Sequence, residues 1–111
     1  MNIKSLITKW LEASNALDTE KYLSFYLMDA VLDDPSVGRK FIGHKGIGEY
    51  FTSYFIGYKT RTKLVDLVVH DDQTDLEVLF TGDFPEGKVG GTFRFTFKQG
   101  KIATVLANLK H

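Results

Sequence analysis

Apolar residues in the first half of the chain recur at the spacing of a helix. One such stripe predicts a helix over residues 3–16, and Asp18 is a favourable N-cap for a second helix. Gly43 breaks the chain, and a third helix follows because apolar and aromatic residues again recur three and four apart. The three stripes consist of Leu6, Ile7, Trp10 and Leu11, then Tyr22, Leu23, Phe25, Tyr26 and Leu27, then Ile47, Tyr50, Phe51, Tyr54, Phe55 and Tyr58.

Proline and glycine mark the end of one predicted strand and an irregularity within another. Residues 30–34 predict a short strand that Pro35 ends, because the residue before a proline is held in an extended conformation. Residues 39–42 are a candidate hairpin partner for that strand. Later in the chain, the pair Gly90-Gly91 interrupts an apolar and polar alternation, which predicts a bulge or bend in a sheet.

After Gly57 the hydrophobic pattern changes from the helical period to a period of two. Alternation predicts strands over residues 60–70, 74–84, 89–97 and 101–109, with short turns that favour antiparallel neighbours. Helices first and strands last indicate an α+β fold. We expect a cone in which three N-terminal helices pack on a strongly curved, mostly antiparallel sheet.

Composition limits the function classes. The 111 residues suffice for one domain over residues 1–111, and a net charge of zero gives no general attraction to nucleic acid or to a membrane. The chain has no cysteine, so thiolate chemistry is excluded, and no secretory signal is seen, so we expect a cytoplasmic protein. Nine Phe, five Tyr and one Trp suggest a wide core or a lined cavity for a small hydrophobic ligand.

An acidic pair next to a proline is the strongest chemical signal. Asp33 and Asp34 follow an apolar run, and a carboxylate partly desolvated at such a turn is suited to act as a base. The alternative is a turn acid that accepts hydrogen bonds from nearby backbone N–H groups. Asp33 alternates to the other face and is expected to be exposed. The three histidines lack metal-ligand spacing, and no phosphate loop is seen, so neither metal nor cofactor is expected.

The residues around this acid resemble a known family. The segment Asp29-Ala30-Val31-Leu32-Asp33-Asp34-Pro35-Ser36-Val37 precedes Gly43, Ile47, Tyr50 and Phe51. In ketosteroid isomerases a segment of the type Asp-Ala-Thr-Val-Glu-Asp-Pro-Val-Gly leads to Gly-x-x-x-Ile-x-x-Phe-Tyr. The chain thus resembles the nuclear transport factor 2-like superfamily, in its ketosteroid isomerase and SnoaL-like polyketide cyclase branch.

That resemblance implies a site. It implies that Asp34 is a general base that moves a proton between carbons next to a ketone. The family's tyrosine donor falls on Trp10, whose indole N–H donates one hydrogen bond but cannot accept one. The family's protonated acid has no counterpart in the strand over residues 89–97. The expected pocket wall consists of Tyr26, Phe51, Tyr54, Phe55, Phe93 and Phe95.

Three functions fit these observations. The first is an isomerase or cyclase-like enzyme acting on a small hydrophobic carbonyl compound, with Asp34 as base and Trp10 polarising the oxygen. The second is a non-catalytic binder of small apolar ligands. The third is an interaction module that uses the sheet face. The strand over residues 101–109 is apolar on both faces, with Ile102 and Leu106 on one and Ala103, Val105 and Leu109 on the other. We also expect a homodimer through the outer sheet face, because such a strand needs cover on both faces.

Overall fold

A computed structural model describes residues 2–110 of the chain. Its helices and strands follow the predicted order, with helices first and a run of strands last. They are α1 (Ile3–Asn15), α2 (Thr19–Ser24), β1 (Tyr26–Asp34), β2 (Arg39–Ile42), α3 (Gly43–Phe51), a π-helical segment (Thr52–Ile56), β3 (Arg61–Val69), β4 (Thr74–Thr81), β5 (Lys88–Lys98) and β6 (Lys101–Lys110). Within residues 2–110, none of the helices has the length and apolar character needed to cross a membrane.

The six strands form one sheet in the order β2-β1-β6-β5-β4-β3. All neighbouring strands are antiparallel except β1 and β6, which run parallel. A parallel pair needs a crossover connection, and here the chain between the two strands includes α3 and the meander β3 to β5. The α+β class, with N-terminal helices and a mostly antiparallel sheet, is therefore confirmed.

The second helix is shorter than its apolar stripe predicts. Asp18 caps it as expected, accepting a hydrogen bond of 3.1 Å from the Lys21 N–H, but the helix ends at Ser24. The chain then becomes extended, because the Ile102 N–H donates to the Phe25 carbonyl at 2.8 Å and Tyr26 pairs with Ile102. Pairing with β6 thus overrides the local helical pattern and starts β1 four residues earlier than predicted.

The last strand does not carry two apolar faces in the alternation predicted for it. Ile102, Val105 and Ala107 are all buried, whereas Leu106 is half-buried and Leu109 is exposed. A register shift between Thr96 and Phe97 of β5 breaks the alternation opposite this part of β6 and brings Ile102 and Val105 into the same core. The expected division of β6 into faces was therefore wrong.

Edge strand β3 is more exposed than its alternation predicts. Its exposed apolar side chains are Leu64, Val65, Val68 and Val69, and a register shift lies between Leu64 and Asp66. The free edge is covered at one point by α1. Asn15 donates from Nδ2 to the Thr62 carbonyl at 3.0 Å, and the Thr62 N–H donates to Asn15 Oδ1 at 2.7 Å.

The predicted bulge at Gly90-Gly91 is absent, because both glycines pair in regular register with β4 and β6. Gly91 instead makes room for an aromatic ring. A Cβ atom at this position would lie 2.4 Å from Cε2 of Phe80. Since real carbon atoms do not approach so closely, the glycine lets Phe80 lie flat across the inner face of the sheet.

Candidate functional site

Asp34 ends β1 with its side chain on the inner face of the sheet. Ala30, Leu32 and Asp34 alternate inward along the strand, and Asp34 is only 6% exposed. One carboxylate oxygen accepts hydrogen bonds from the Ser36 N–H at 2.9 Å and from the Ser36 hydroxyl. The other oxygen accepts a hydrogen bond of 2.8 Å from the Tyr50 hydroxyl. Strand alternation, followed by the turn at Pro35, therefore buries a carboxylate and fixes its orientation.

Tyr50 is a site residue that the sequence analysis placed on the third helix without giving it a function. It lies on α3, is 5% exposed, and its hydroxyl reaches an acid 16 positions away in the chain. Burial, and then the charge of Asp34, raise the pKa of Tyr50 well above its ordinary value. The phenol therefore stays protonated and donates to Asp34. Helical spacing shows that Tyr50 faces inward, but no sequence pattern identifies a partner on another element.

Asp34 and Tyr50 lie on the floor of a cleft of about 280 Å³. Phe55, which is 3% exposed, completes this floor, whereas Tyr58, 39% exposed, and the exposed Glu86 lie on the solvent side. We call these two parts the floor and the mouth. The remaining lining residues are Ser36, Val37, Tyr54, Thr60, Phe80, Phe84, Pro85, Val89 and Leu109.

The structure brings only part of the predicted site together. Asp34, Tyr54 and Phe55 line the cleft. The other predicted residues lie behind it in the aromatic core, where Trp10 packs edge-on against two phenylalanine rings of β5 at centroid distances of 5.3 and 5.2 Å. These core residues are Trp10, Tyr26, Phe51, Phe93 and Phe95, all of them buried.

The indole N–H of Trp10 is already used inside the core. It donates to the Tyr26 hydroxyl at 3.0 Å, and Tyr26 in turn donates to the Tyr22 hydroxyl at 2.7 Å. Burial raises the pKa of Tyr26, although its hydrogen bonds with Tyr22 and Trp10 act in the opposite direction. Burial, and then Tyr26, raise the pKa of Tyr22. The three side chains thus form a buried chain of hydrogen bonds that remains neutral and occupies the Trp10 N–H.

The charges of the cleft have one sign. Its lining contains two acids, Asp34 and Glu86, and no lysine, arginine or histidine. The Tyr54 hydroxyl makes no hydrogen bond with any residue in the described range 2–110, so it is free to donate to a bound molecule. Across the same range, no group of three metal-ligating side chains lies together.

The sequence of the chain matches a known protein family. Residues 7–105 match the SnoaL-like domain family, which is most of the chain. The chain belongs to the SnoaL-like family. No protein with a curated description matches it.

Solved structures share the SnoaL-like fold at low sequence identity. A candidate polyketide cyclase from Sinorhizobium meliloti is 22% identical, with a TM-score of 0.85 and 93% of each chain covered. A candidate ketosteroid isomerase from Kribbella flavida is 13% identical, with a TM-score of 0.84, covering 96% of this chain and 76% of that one. A protein with a ketosteroid isomerase-like fold from Catenulispora acidiphila, in complex with trimethylamine, is 12% identical, with a TM-score of 0.81 and coverage of 92% and 82%. The nuclear transport factor 2-like fold expected from the motif is therefore confirmed.

Proposed function

We propose that this protein is an isomerase or cyclase-like enzyme that moves a proton on a small hydrophobic carbonyl compound. The observation that carries the proposal is the Asp34 carboxylate, which is 6% exposed and lines the floor of an aromatic cleft. Membership of the SnoaL-like family supports it, because the base that the family motif predicts is the acid that lies in the cleft. A base held away from bulk water and close to its substrate needs little reorganisation before it accepts a proton.

The proposed reaction uses Asp34 as a shuttle. An Asp34 oxygen takes a proton from the carbon next to the carbonyl, the C–H electron pair forms an enolate, and the same acid returns the proton to another carbon. Ser36 and Tyr50 hold the carboxylate in place through three hydrogen bonds. A carboxylate offers about four acceptor positions, so one remains for the substrate.

The enolate oxygen also needs a donor. Trp10 was the predicted donor, but its N–H is engaged by Tyr26 in the core. Tyr54 lines the cleft, and its ring centroid lies 5.3 Å from that of Tyr50. We therefore assign the oxyanion donor to the Tyr54 hydroxyl, with Trp10 acting on the site only through the core packing.

Deuterium uptake next to a carbonyl tests this function without knowledge of the natural substrate. A panel of small cyclic ketones and enones in D₂O, followed by NMR, should exchange faster with the protein than in buffer. Asp34→Asn should lower that exchange by about 100-fold or more, the usual contribution of a positioned base. Asp33→Asn is the matched control, because Asp33 precedes Asp34 on the same strand and alternates to the other face. Full exchange in Asp34→Asn, or none with the wild type, contradicts the proposal.

A second candidate function is non-catalytic binding of a small apolar ligand in the same cleft. The buried chain of hydrogen bonds around Trp10 favours it, because these bonds withhold one of the donors that the isomerases use. Binding without any deuterium uptake in the wild type, together with an altered affinity in Asp34→Asn, would support this alternative.

We also propose that two copies associate through the outer face of the sheet. A groove of about 380 Å³ on this face is lined by both charge signs, with Asp75 paired to Arg94 at 3.0 Å. A second lining acid, Glu77, pairs with Lys110 at 3.2 Å, and Lys110 lies outside the lining. A face with both signs can complement a copy of itself about a two-fold axis, and the zero net charge of the chain adds no repulsion. Val68, 44% exposed, lies in this groove.

Light scattering at micromolar concentration should therefore give the mass of a dimer. Val68→Arg should produce monomers, because it places a long charged side chain inside the groove that the second copy would fill. Met28→Arg is the control, since Met28 is 75% exposed on β1 and lies outside the groove. A monomeric wild type would refute the dimer.

A further inference from the structure

We propose that the ligand of this cleft carries a positive charge, in the form of an alkylated ammonium group held at the mouth by Tyr58, Phe84 and Glu86. The inference deepens the proposed function, because it rests on the cleft being the binding site. It adds a charged amine to the expected small carbonyl compound. It rests on the charges, the rings and the loop geometry of the cleft.

The charges of the lining are unbalanced. Asp34 and Glu86 are both acidic, and the lining contains no basic residue to neutralise them. Asp34 accepts hydrogen bonds from neutral groups only, and the ion pairs found within residues 2–110 involve Asp75 and Glu77 instead. These hydrogen bonds stabilise the carboxylate, but because their donors are neutral they leave its negative charge unneutralised. The charged side chains of the lining therefore favour a cation over an anion.

The rings supply the second half of a cation site. The cleft is lined by six aromatic side chains, and two of them form a corner at the mouth. Tyr58 and Phe84 lie with ring centroids 6.0 Å apart and ring planes at 84°. A cation close to such a corner is attracted by the negative ring faces and gains apolar contact for its methyl groups. The four deeper rings are Tyr50, Tyr54, Phe55 and Phe80.

The corner is held in place by a backbone contact. The Asp83 N–H donates to the Tyr58 carbonyl at 2.7 Å, which ties the loop after β4 to the end of the π-helical segment. Phe84 and Glu86 follow in that loop, where the Phe84 ring packs against Tyr58 and Glu86 lines the same cleft. A preformed site loses less conformational entropy on binding. With the ammonium group bound at the mouth, the Asp34 carboxylate on the floor can still accept the proton from the carbon next to the carbonyl.

Two probes of nearly the same shape separate charge from hydrophobic contact. Choline and 3,3-dimethylbutan-1-ol differ in that a quaternary nitrogen replaces a carbon. Titration calorimetry and NMR shift mapping at low salt should show choline binding about tenfold more tightly, the gain that carboxylates and partly desolvated rings give a cation. Shifts should concentrate at Tyr58, Phe84 and Glu86. Salt should reduce the choline preference, because part of it is electrostatic.

Variants test the named residues. Glu86→Gln and Phe84→Leu should each lower the ratio of choline affinity to alcohol affinity by about two- to five-fold. Glu20→Gln, which removes an exposed acid on α2, is the control and should leave the ratio unchanged. Circular dichroism of each variant excludes a loss of fold as the cause.

The outcomes separate this inference from the proposed function. Equal affinities for the two probes, or no saturable choline binding up to about 10 mM, overturn the cation site. If that happens while Asp34→Asn still abolishes deuterium uptake on a neutral ketone, the proposed function stands and the charged ligand does not. A choline preference without any deuterium uptake supports the cation site and leaves a binding protein.

Discussion

Two aromatic regions of this protein look alike in composition but differ in where their hydrogen bonds go. In the core, Trp10, Tyr26 and Tyr22 use their polar atoms on one another. In the cleft, Tyr50 donates to a carboxylate, and the Tyr54 hydroxyl has no hydrogen-bond partner among residues 2–110. The same residue types therefore stabilise the fold in one place and, in the proposed function, supply the chemistry in the other. Whether a ring borders the cleft, more than residue identity, separates the two regions.

The largest effect on stability should come from truncating Trp10, which lies in the core. Trp10→Ala deletes a fully buried indole that contacts Tyr22, Phe93 and Phe95. We expect a loss of about 3–5 kcal/mol in the free energy of unfolding, the usual cost of truncating a large buried ring. Urea unfolding measures it, and a loss below about 1 kcal/mol would show that the indole contributes little to packing.

A pair of tyrosine variants should give opposite results in the two regions. Tyr26→Phe leaves the Trp10 N–H without its acceptor, so we expect a loss of about 1–3 kcal/mol in stability. Tyr54→Phe should cost less than about 0.5 kcal/mol in stability but slow deuterium uptake by about 100-fold, as loss of an oxyanion donor does. Urea unfolding and the NMR exchange assay measure the two effects. If Tyr54→Phe exchanges at the wild-type rate, the donor lies elsewhere.

High pH should weaken the fold through buried phenols in both regions. Tyr22, Tyr26 and Tyr50 have raised pKa values in the folded chain, mainly because of burial. In the unfolded chain these phenols lose their protons near pH 10, whereas in the folded protein they remain protonated. The free energy of unfolding therefore falls as the pH rises above 10. Each contributes a loss of about 1 kcal/mol per pH unit in that range.

Urea unfolding between pH 8 and pH 11.5 checks this slope. Tyr50→Phe should flatten it by removing one of the three titrating groups, at the cost of a hydrogen bond to Asp34 that lowers stability at every pH. Unchanged stability up to pH 11.5 in the wild type would mean that these phenols reach solvent in the folded state.

Most of the helices and strands could be predicted from the sequence, because the patterns that indicate them involve residues close together in the chain. The change of hydrophobic period near Gly57, the Asp18 cap and the break at Gly43 each concern neighbouring residues, and the elements lie where these signals placed them. The start of β1 and the faces of β6 could not be read in this way. Both depend on the parallel contact between β1 and β6 and on a register shift opposite β6, which join residues far apart in the chain.

Of the candidate site, only the position of Asp34 could be predicted from the sequence. Asp34 stood out because a proline and an apolar strand flank it, and strand alternation alone places it inward. The Tyr50 contact and the Glu86 loop came from packing between separate elements, which no spacing encodes. Trp10 shows the converse error, since a matching position on α1 does not show whether its N–H is free.

The amide of Asn15 has a consequence for how this protein keeps its own copies apart along the sheet edge. This amide makes two hydrogen bonds with the N–H and carbonyl of Thr62, as a backbone residue of a seventh strand would. An edge with exposed valines and open backbone groups is a template on which further chains can add as fibrils. A side chain that occupies this template interrupts the ladder before it grows. One helix residue thus occupies the backbone groups that a further strand would need at this point of the edge.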